Sequence, residues 1–173
     1  MKSFFAFIAF VLFVNATFAE DLLPLIQPSN NGLVIAKVER DNGHSAEFKG
    51  HIWITGTLIA EWDRVWAEAT ENALEVRLIP DQRSIKILPH FERYPVRKLE
   101  LVNEQETMRL TFNKTLLAKL KTKKINRIEA KGSFLIEEYI VGVECDAPWA
   151  RAKVIRTRIP KQPHIFTKEH EGC

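Results

Sequence analysis

Two groups of acidic residues could supply a catalytic carboxylate pair. They are Glu61, Asp63, Glu68 and Glu71 in the first group, and Glu137, Glu138, Glu144 and Asp146 in the second. Two carboxylates perform general acid–base chemistry when their surroundings push the two pKa values apart. Glu61 with Glu144 is therefore a hypothetical centre for a small secreted hydrolase. The simpler interpretation is that both groups are solvated turns, and no calcium-loop spacing is present.

The histidines do not have the spacing of a metal site. None of His44, His51, His90, His164 and His170 forms a ligand pair with three or four residues of separation beside cysteines, which is the zinc pattern. The sequence also contains no phosphate loop, dinucleotide fingerprint or nucleophile elbow. We therefore predict no metal and no cofactor, and we assign no catalytic residue. These observations favour a non-catalytic protein over an enzyme.

The tryptophans offer a candidate binding surface. Trp62 continues an apolar row and is predicted to pack in the core, whereas Trp53 and Trp149 are less committed. Tryptophan stacks on sugars and bases, although core packing is its usual role. His51 lies beside Trp53 on the same half-covered face. We include His51 in the binding hypothesis, against the simpler interpretation of a partly exposed strand histidine.

Basic residues are concentrated in the second half of the chain. The formal net charge is only +3, so the location of the charges matters more than their sum. Basic residues outnumber acidic ones from Arg83 to Arg127, and no acid occurs from Ala147 to Lys168. Such patches attract phosphates, anionic lipid or an acidic partner, or else form a solubilising face. The predicted ligand-binding residues are His51, Trp53, Trp149, Lys119, Lys123, Arg151, Arg156 and Arg158.

Residues 1–19 have the pattern of a secretory signal peptide. Lys2 supplies the positive n-region, residues 4–14 are apolar throughout, and Ala16 and Ala19 supply small residues at the cleavage spacing. A membrane anchor would need about 20 apolar residues. We predict a secreted or periplasmic protein, cleaved near Ala19, with no later transmembrane span. Export disfavours nucleic acid and leaves an acidic protein, a glycan or an anionic lipid surface as partner.

The cysteines Cys145 and Cys173 predict a disulfide. In an oxidising compartment this pair would tie the C-terminal tail to a strand. Closing that loop would stabilise the fold by about 3–4 kcal/mol. The alternative is two free thiols, one in a strand and one at the chain end. A catalytic thiol is disfavoured because neither cysteine has a Cys/His signature around it.

Two long extended stretches are predicted to organise the fold. Phe48 to Trp62 alternates apolar or small residues with mixed ones, and we expect this single strand to bend at Gly56. Ile125 to Cys145 is the second stretch, with Gly132 on its apolar row. Its alternation blurs at Glu137–Glu138, which is typical of a bulge.

Shorter strands and one helix account for the rest of the chain. Strands are expected at 33–39, 74–79, 84–88, 96–102, 108–112 and 149–159, with a turn at 41–43 and an undecided segment at 63–73. Asn113 is a favourable N-cap, and residues 114–124 combine an apolar stripe with terminal lysines. The sequence therefore predicts a short basic helix there.

The sequence predicts a mainly β protein. We expect one small, partly open barrel of the oligonucleotide/oligosaccharide-binding type, with a helix between the third and fourth of five coiled strands. A two-layer α+β sheet is the alternative. The predicted organisation is a signal peptide at 1–19, an extended lead-in at 20–31, a β-rich domain at 32–160 and a polar tail at 161–173. The predicted function is an exported binding or interaction module of the cell envelope.

Overall fold

Five paired strands close into a barrel at the centre of the fold. The computed structural model describes residues 23–28, 31–40, 44–62 and 74–167. The strands are β1 Leu25–Ile26, β2 Leu33–Glu39, β3 His44–Gly50, β4 Ile52–Trp62, β5 Leu74–Pro80, β6 His90–Phe91, β7 Leu99–Leu101, β8 Arg127–Glu144, β9 Ala147–Arg158 and β10 His164–Phe166, and the helices are α1 Gln82–Ile87, α2 Glu104–Thr111 and α3 Lys114–Lys121. The pairing order β4-β5-β7-β9-β8 returns to β4. The predicted mainly β fold is confirmed.

The connectivity of the barrel agrees with the predicted oligonucleotide/oligosaccharide-binding type. In chain order the barrel strands are β4, β5, β7, β8 and β9, and α2 and α3 lie between the third and fourth of them. β7 and β9 run parallel, with Glu100 opposite Arg151, and the other barrel pairs are antiparallel. The barrel is closed rather than partly open, because β8 pairs with both β4 and β9.

β3 and β4 together pair with the length of β8. The register changes by one residue at His51, opposite Glu137 and Glu138. Gly50 has φ +104° and Glu138 has φ +49°. The predicted irregularity at Glu137–Glu138 is therefore confirmed. The predicted single strand from Phe48 to Trp62 is wrong, because its interruption lies at Gly50–His51 and β4 continues through Gly56; a glycine at positive φ allows this bulge.

Gly56 and Gly132 face each other across β4 and β8. A Cβ at Gly56 would overlap the carbonyl oxygen of Ile79, and a Cβ at Gly132 would overlap the carbonyl oxygen of Arg158. The backbone at the end of β5 therefore approaches Gly56 directly, and the backbone at the end of β9 approaches Gly132 in the same way. Close backbone approach at glycine is a common means of coiling strands at a barrel corner.

The core fills the barrel and continues beneath the helices. Large side chains that are almost fully buried include Ile54, Leu58, Leu78, Leu99, Leu120, Ile128, Phe134 and Ile136. Along most of β4 and β8 these residues alternate with exposed or half-buried ones, as period two requires, although Ile59 next to Leu58 is also buried. Tyr139 is also buried, and its hydroxyl donates to the Pro89 carbonyl at 2.6 Å. Burial raises the pKa of Tyr139.

Two segments predicted as strands are helices. Residues 84–88 lie mostly in α1, and residues 108–112 lie mostly in α2. Met108 and Phe112 are both buried and four positions apart, a spacing that fits one face of a strand and one face of a helix equally well. Segments of five residues are therefore too short to distinguish a strand from a helix by periodicity. The predicted strand at 96–102 reduces to the three residues of β7.

The basic helix is confirmed and ends earlier than predicted. Asn113 caps α3, because its side-chain oxygen accepts from the Leu116 amide at 2.9 Å. Lys119 and Lys121 lie in the last turn, where they complement the negative end of the helix dipole. The helix stops at Lys121 rather than at residue 124.

The chain segments on either side of the barrel are partly paired. In the predicted lead-in, β1 pairs with β6, and in the predicted tail, β10 pairs with the start of β8. The predicted signal peptide, the turn at 41–43, the segment 63–73 and Cys173 lie outside the described residues. No helix in the described part of the chain is long and apolar enough to cross a membrane.

Candidate functional site

The outer surface of β4, β8 and β9 brings together three of the predicted binding residues. The register places Trp53 opposite Leu135 and Leu135 opposite Arg156, while the next outward row is Thr55, Ser133 and Arg158. Outward side chains on a strand recur every second residue, so these two rows are neighbours on one surface. The Trp53 face is defined as Trp53, Thr55, Ser133, Leu135, Arg156 and Arg158.

Arg158 stacks on Trp53 within this face. The guanidinium carbon of Arg158 lies 4.4 Å from the centroid of the Trp53 ring. Trp53 is half-buried and Arg158 is exposed. A cation over an indole is stabilised electrostatically, and the contact restricts where the guanidinium can go. A planar guanidinium held in this way can bind a carboxylate, sulfate or phosphate through paired N–H donors.

The row next to Trp53 is an ion-pair network in which acidic and basic side chains bind one another. Lys153 lies 3.0 Å from Glu137 and 3.1 Å from Glu138, and His51 Nε2 lies 3.1 Å from Glu137. Bonds with Lys153 and then His51 hold the pKa of Glu137 below its ordinary value, and Glu137 followed by Glu138 raises the pKa of Lys153. His51 therefore has a partner already, beside the bulge.

Arg156 and Arg158 differ from Lys153 in having no such partner. Within the described ranges no carboxylate forms an ion pair with either arginine, whereas Lys153, Arg77, Arg127 and Arg151 all take part in ion pairs. Both arginines are exposed. The positive potential of the Trp53 face is therefore available to a ligand.

Trp149 and Arg151 form a separate cluster on β9. Trp149 lies opposite Gly142, whose missing side chain makes room for the indole ring. The guanidinium carbon of Arg151 is 5.3 Å from the Trp149 ring, and its Nε is 3.1 Å from Glu100. Trp149 also borders a mainly apolar slot of about 280 Å³ beside Val96. These two predicted residues do not join the Trp53 face, because they pair with β8 at Gly142 and Ile140, farther along that strand.

Lys119 and Lys123 lie near the opposite end of β4 from Trp53. The Lys123 ammonium is 4.9 Å from the Trp62 ring, and the Trp62 indole N–H donates to the Leu120 carbonyl at 2.8 Å. Trp62 therefore anchors the region of α3, in agreement with its predicted packing role. Neither lysine is near the arginines of the Trp53 face.

The structure does not bring Glu61 and Glu144 together. Glu61 faces Arg127, the first residue of β8, while Glu144 is the last of its 18 residues. At about 3.3 Å per residue, nearly the whole contour of β8 separates the two carboxylates. Glu61 also binds Arg77 at 2.7 Å. Asp63, Glu68 and Glu71 lie outside the described residues.

A groove lies on the outer face of β5 and β7. Barrels of this type commonly bind their ligands on the corresponding face. Two of its three cations are paired with carboxylates: Arg77 binds Glu61 and Glu75, and Arg151 binds Glu100. Partial desolvation, followed by the charges of Glu75 and Glu100, raises the pKa of Glu104 at the groove edge. The groove is therefore a balanced set of charges rather than a patch of one sign.

Cys145 lies at the tip of the β8–β9 hairpin. Cys145 and Asp146 both have positive φ, at +47° and +60°. Cys145 is exposed, and no disulfide joins any described residues. Its predicted partner Cys173 lies outside them, so the structure does not test the disulfide.

The sequence did not indicate the hydroxyl-bearing residues of the Trp53 face. Thr55 and Ser133 resemble ordinary strand residues. Only the register of β4 with β8, and of β8 with β9, shows that they lie beside Arg158.

Within the described ranges, no three acidic, histidine or cysteine side chains lie close enough to hold a metal ion. Comparison with protein-family models, curated proteins and solved structures gives no match for this chain.

Proposed function

We propose that the protein is an exported, non-catalytic binding module of the cell envelope, which holds an anionic partner on the Trp53 face. The observation that carries this proposal is the stacking of Arg158 on Trp53 beside Arg156, with both arginines free of carboxylates in the described part of the chain. The signal-peptide pattern of residues 1–19 supports export. The position of Glu61 and Glu144 at opposite ends of β8 supports a binding module over the hydrolase alternative.

Restraint of the guanidinium matters for affinity. A side chain that is already restrained loses less conformational freedom when it binds, so more of each hydrogen bond contributes to affinity. Arg158 is restrained by Trp53, and Arg156 is one outward row away on the same strand. Two such donors suit a partner with repeated acidic groups, and Trp53 acts as a positioning residue rather than as the stacking surface itself.

The test is binding of labelled dextran sulfate, with uncharged dextran as the matched neutral probe. We expect Arg156→Gln/Arg158→Gln to weaken binding about tenfold, equivalent to about 1.4 kcal/mol. Lys119→Gln/Lys123→Gln removes the same charge from α3 and the turn that follows it, and should change binding less than about twofold. Binding should also weaken with added salt, because exposed charges are screened. Equal losses in the two double variants would show that net charge, and not the Trp53 face, is responsible.

A further inference from the structure

A cleft of about 610 Å³ adjoins the Trp53 face. It lies at the end of the barrel where Gly56 faces Gly132, and Thr55 and Ser133 line both the cleft and the Trp53 face. Clefts of roughly 300–1,000 Å³ are typical of sites for small organic ligands. A ligand bound to Arg158 can therefore continue into the cleft without leaving the protein surface.

The lining of the cleft combines three kinds of chemistry. Thr57 and Ser133 supply hydroxyl groups, Lys131 and Lys161 supply positive charge, and Pro160 supplies part of a small apolar wall with Ile79 and Pro80. A sugar ring has apolar C–H faces and a rim of hydroxyl groups, and an acidic sugar adds a carboxylate or sulfate. The lining therefore matches an acidic sugar group by group.

Asp81 is the acidic residue in the lining, and its carboxylate already accepts hydrogen bonds from within the protein. Its carboxylate accepts from the Thr55 hydroxyl and from the backbone N–H groups of Ser84 at 2.9 Å and Arg83 at 3.1 Å. These bonds satisfy the carboxylate internally, as the N-cap of α1. The lining therefore has two positive charges, on Lys131 and Lys161, against the one negative charge of Asp81, and the excess still attracts an anion.

The cations recur along the surface with the period of the strands. Arg156 and Arg158 lie beside the rows of Leu135 and Ser133, and Lys131 occupies the next outward row of β8. Successive outward rows are about 6.6 Å apart, at 3.3 Å per residue. An acidic chain that follows this direction meets one cationic row after another.

We infer that the partner of the Trp53 face is an acidic glycan, whose chain binds Arg156 and Arg158 and extends into the cleft between Lys131 and Lys161. This inference rests on the proposed function and names its ligand class. An acidic peptide would use the cations but leave the hydroxyl groups unmatched. A membrane surface would favour protruding apolar residues, and none of the exposed large hydrophobic residues in the described ranges belongs to the face or the cleft.

The experiment measures calorimetric binding of the folded chain to oligogalacturonate, with its methyl ester as the uncharged counterpart. Poly-L-glutamate and vesicles of anionic phospholipid represent the peptide and membrane alternatives. We expect oligogalacturonate to bind at least about tenfold tighter than the methyl ester and poly-L-glutamate, which corresponds to 1.4 kcal/mol. Equal or tighter binding of poly-L-glutamate or vesicles would overturn the glycan inference and leave the anion-binding proposal standing.

Variants of the cleft separate this inference from the proposed function. Thr57→Val/Lys161→Gln should weaken oligogalacturonate binding about fivefold or more while changing poly-L-glutamate binding less than about twofold. The matched control on α3 is Thr115→Val/Lys121→Gln, which should leave both affinities unchanged. Lys161→Gln alone, outside the strands and helices, guards against a folding defect. Unchanged oligogalacturonate binding in the cleft variants would overturn the inference, and no arginine-dependent binding of any polyanion would overturn both proposals.

Discussion

At the scale of single residues, a small polar network fixes α1 on the barrel. The Thr55 amide donates to the Ser84 hydroxyl at 2.7 Å, and the Asp81 amide donates to the Thr55 carbonyl at 2.9 Å. Ser84 is buried, so this bond satisfies a polar group that would otherwise destabilise the fold. The network also holds Thr55 at the junction of the Trp53 face and the cleft.

Replacing the cap of α1 should destabilise the protein measurably. We expect Asp81→Ala to lower the free energy of unfolding by about 1 kcal/mol, because the N-terminal amides of the helix lose their acceptor. Urea denaturation followed by circular dichroism measures the change. Asp81→Asn retains a capping oxygen and should lose less. Equal stability of Asp81→Ala and the wild type would show that the cap is not stabilising.

The same residue predicts a pH dependence. Partial desolvation opposes ionisation of Asp81, but hydrogen bonds from Thr55, Ser84 and Arg83 outweigh it and hold its pKa below the ordinary value of 3.8. The stabilisation that comes from the carboxylate is therefore fully present above pH 3.8 and is lost as the pH falls through the lowered pKa. The advantage of the wild type over Asp81→Asn should shrink only in that acidic range.

At the scale of elements, two glycines determine how closely the strands can approach. A side chain at Gly56 or Gly132 would meet the backbone of Ile79 or Arg158, and backbone cannot rotate away as a side chain can. We expect Gly56→Ala and Gly132→Ala each to destabilise the fold by about 1–3 kcal/mol, the range for overpacked sites. Thermal and urea unfolding test this prediction.

Ser133→Ala is the matched control for the glycine substitutions. Ser133 neighbours Gly132 in sequence but faces outward, so its truncation should change stability by less than about 0.5 kcal/mol. If all three alanine variants unfold alike, close approach at the glycines is not what limits this end of the barrel.

The long elements were more predictable from sequence than the short ones. Residues 125–145 contain enough alternation to indicate β8, and the blur at Glu137–Glu138 indicated its bulge. α1 and α2 were missed because a buried pair four residues apart, such as Met108 and Phe112, satisfies both periods. The Asp81 cap was the available signal for α1, since aspartate before a short apolar segment is a common helix start.

At the scale of the whole molecule, the length of β8 constrains the predicted disulfide. β10 pairs with the first residues of β8, whereas Cys145 follows its last residue. Residues 167–173 can span at most about 25 Å, while the 18 residues of β8 have a contour of about 60 Å. An intramolecular bridge would need β8 to coil until its two ends lie well within that contour.

We therefore expect both cysteines to be free thiols in the folded monomer. Alkylation of the protein in denaturant without reductant, followed by mass spectrometry, should label Cys145 and Cys173. Cys145→Ser should leave the melting temperature unchanged, although loss of a bridge would cost about 3–4 kcal/mol. An unlabelled monomer would instead establish the disulfide.

The sequence indicated candidate binding residues but not which of them meet. Trp53 and the arginines of β9 were separate candidates, because alternation along one strand does not specify its register with another. β9 has one extra residue at Ile155, where its register with β8 shifts between Leu135 and Ile136. This shift turns the side chains that follow to the other face. Arg158 reaches Trp53 only in the resulting alignment, and this long-range fact is not encoded in either segment alone.

β8 also has a consequence for how the chain folds. It pairs with β3 and β4 on one side and with β9 and β10 on the other, yet it comes late in the chain, at Arg127–Glu144. During synthesis, β3 and β4 emerge long before the strand that covers them. Folding must therefore wait for the second half of the polypeptide, with the slow kinetics of a topology rich in non-local pairs. Late folding of this kind would keep the chain unfolded during the export that we propose.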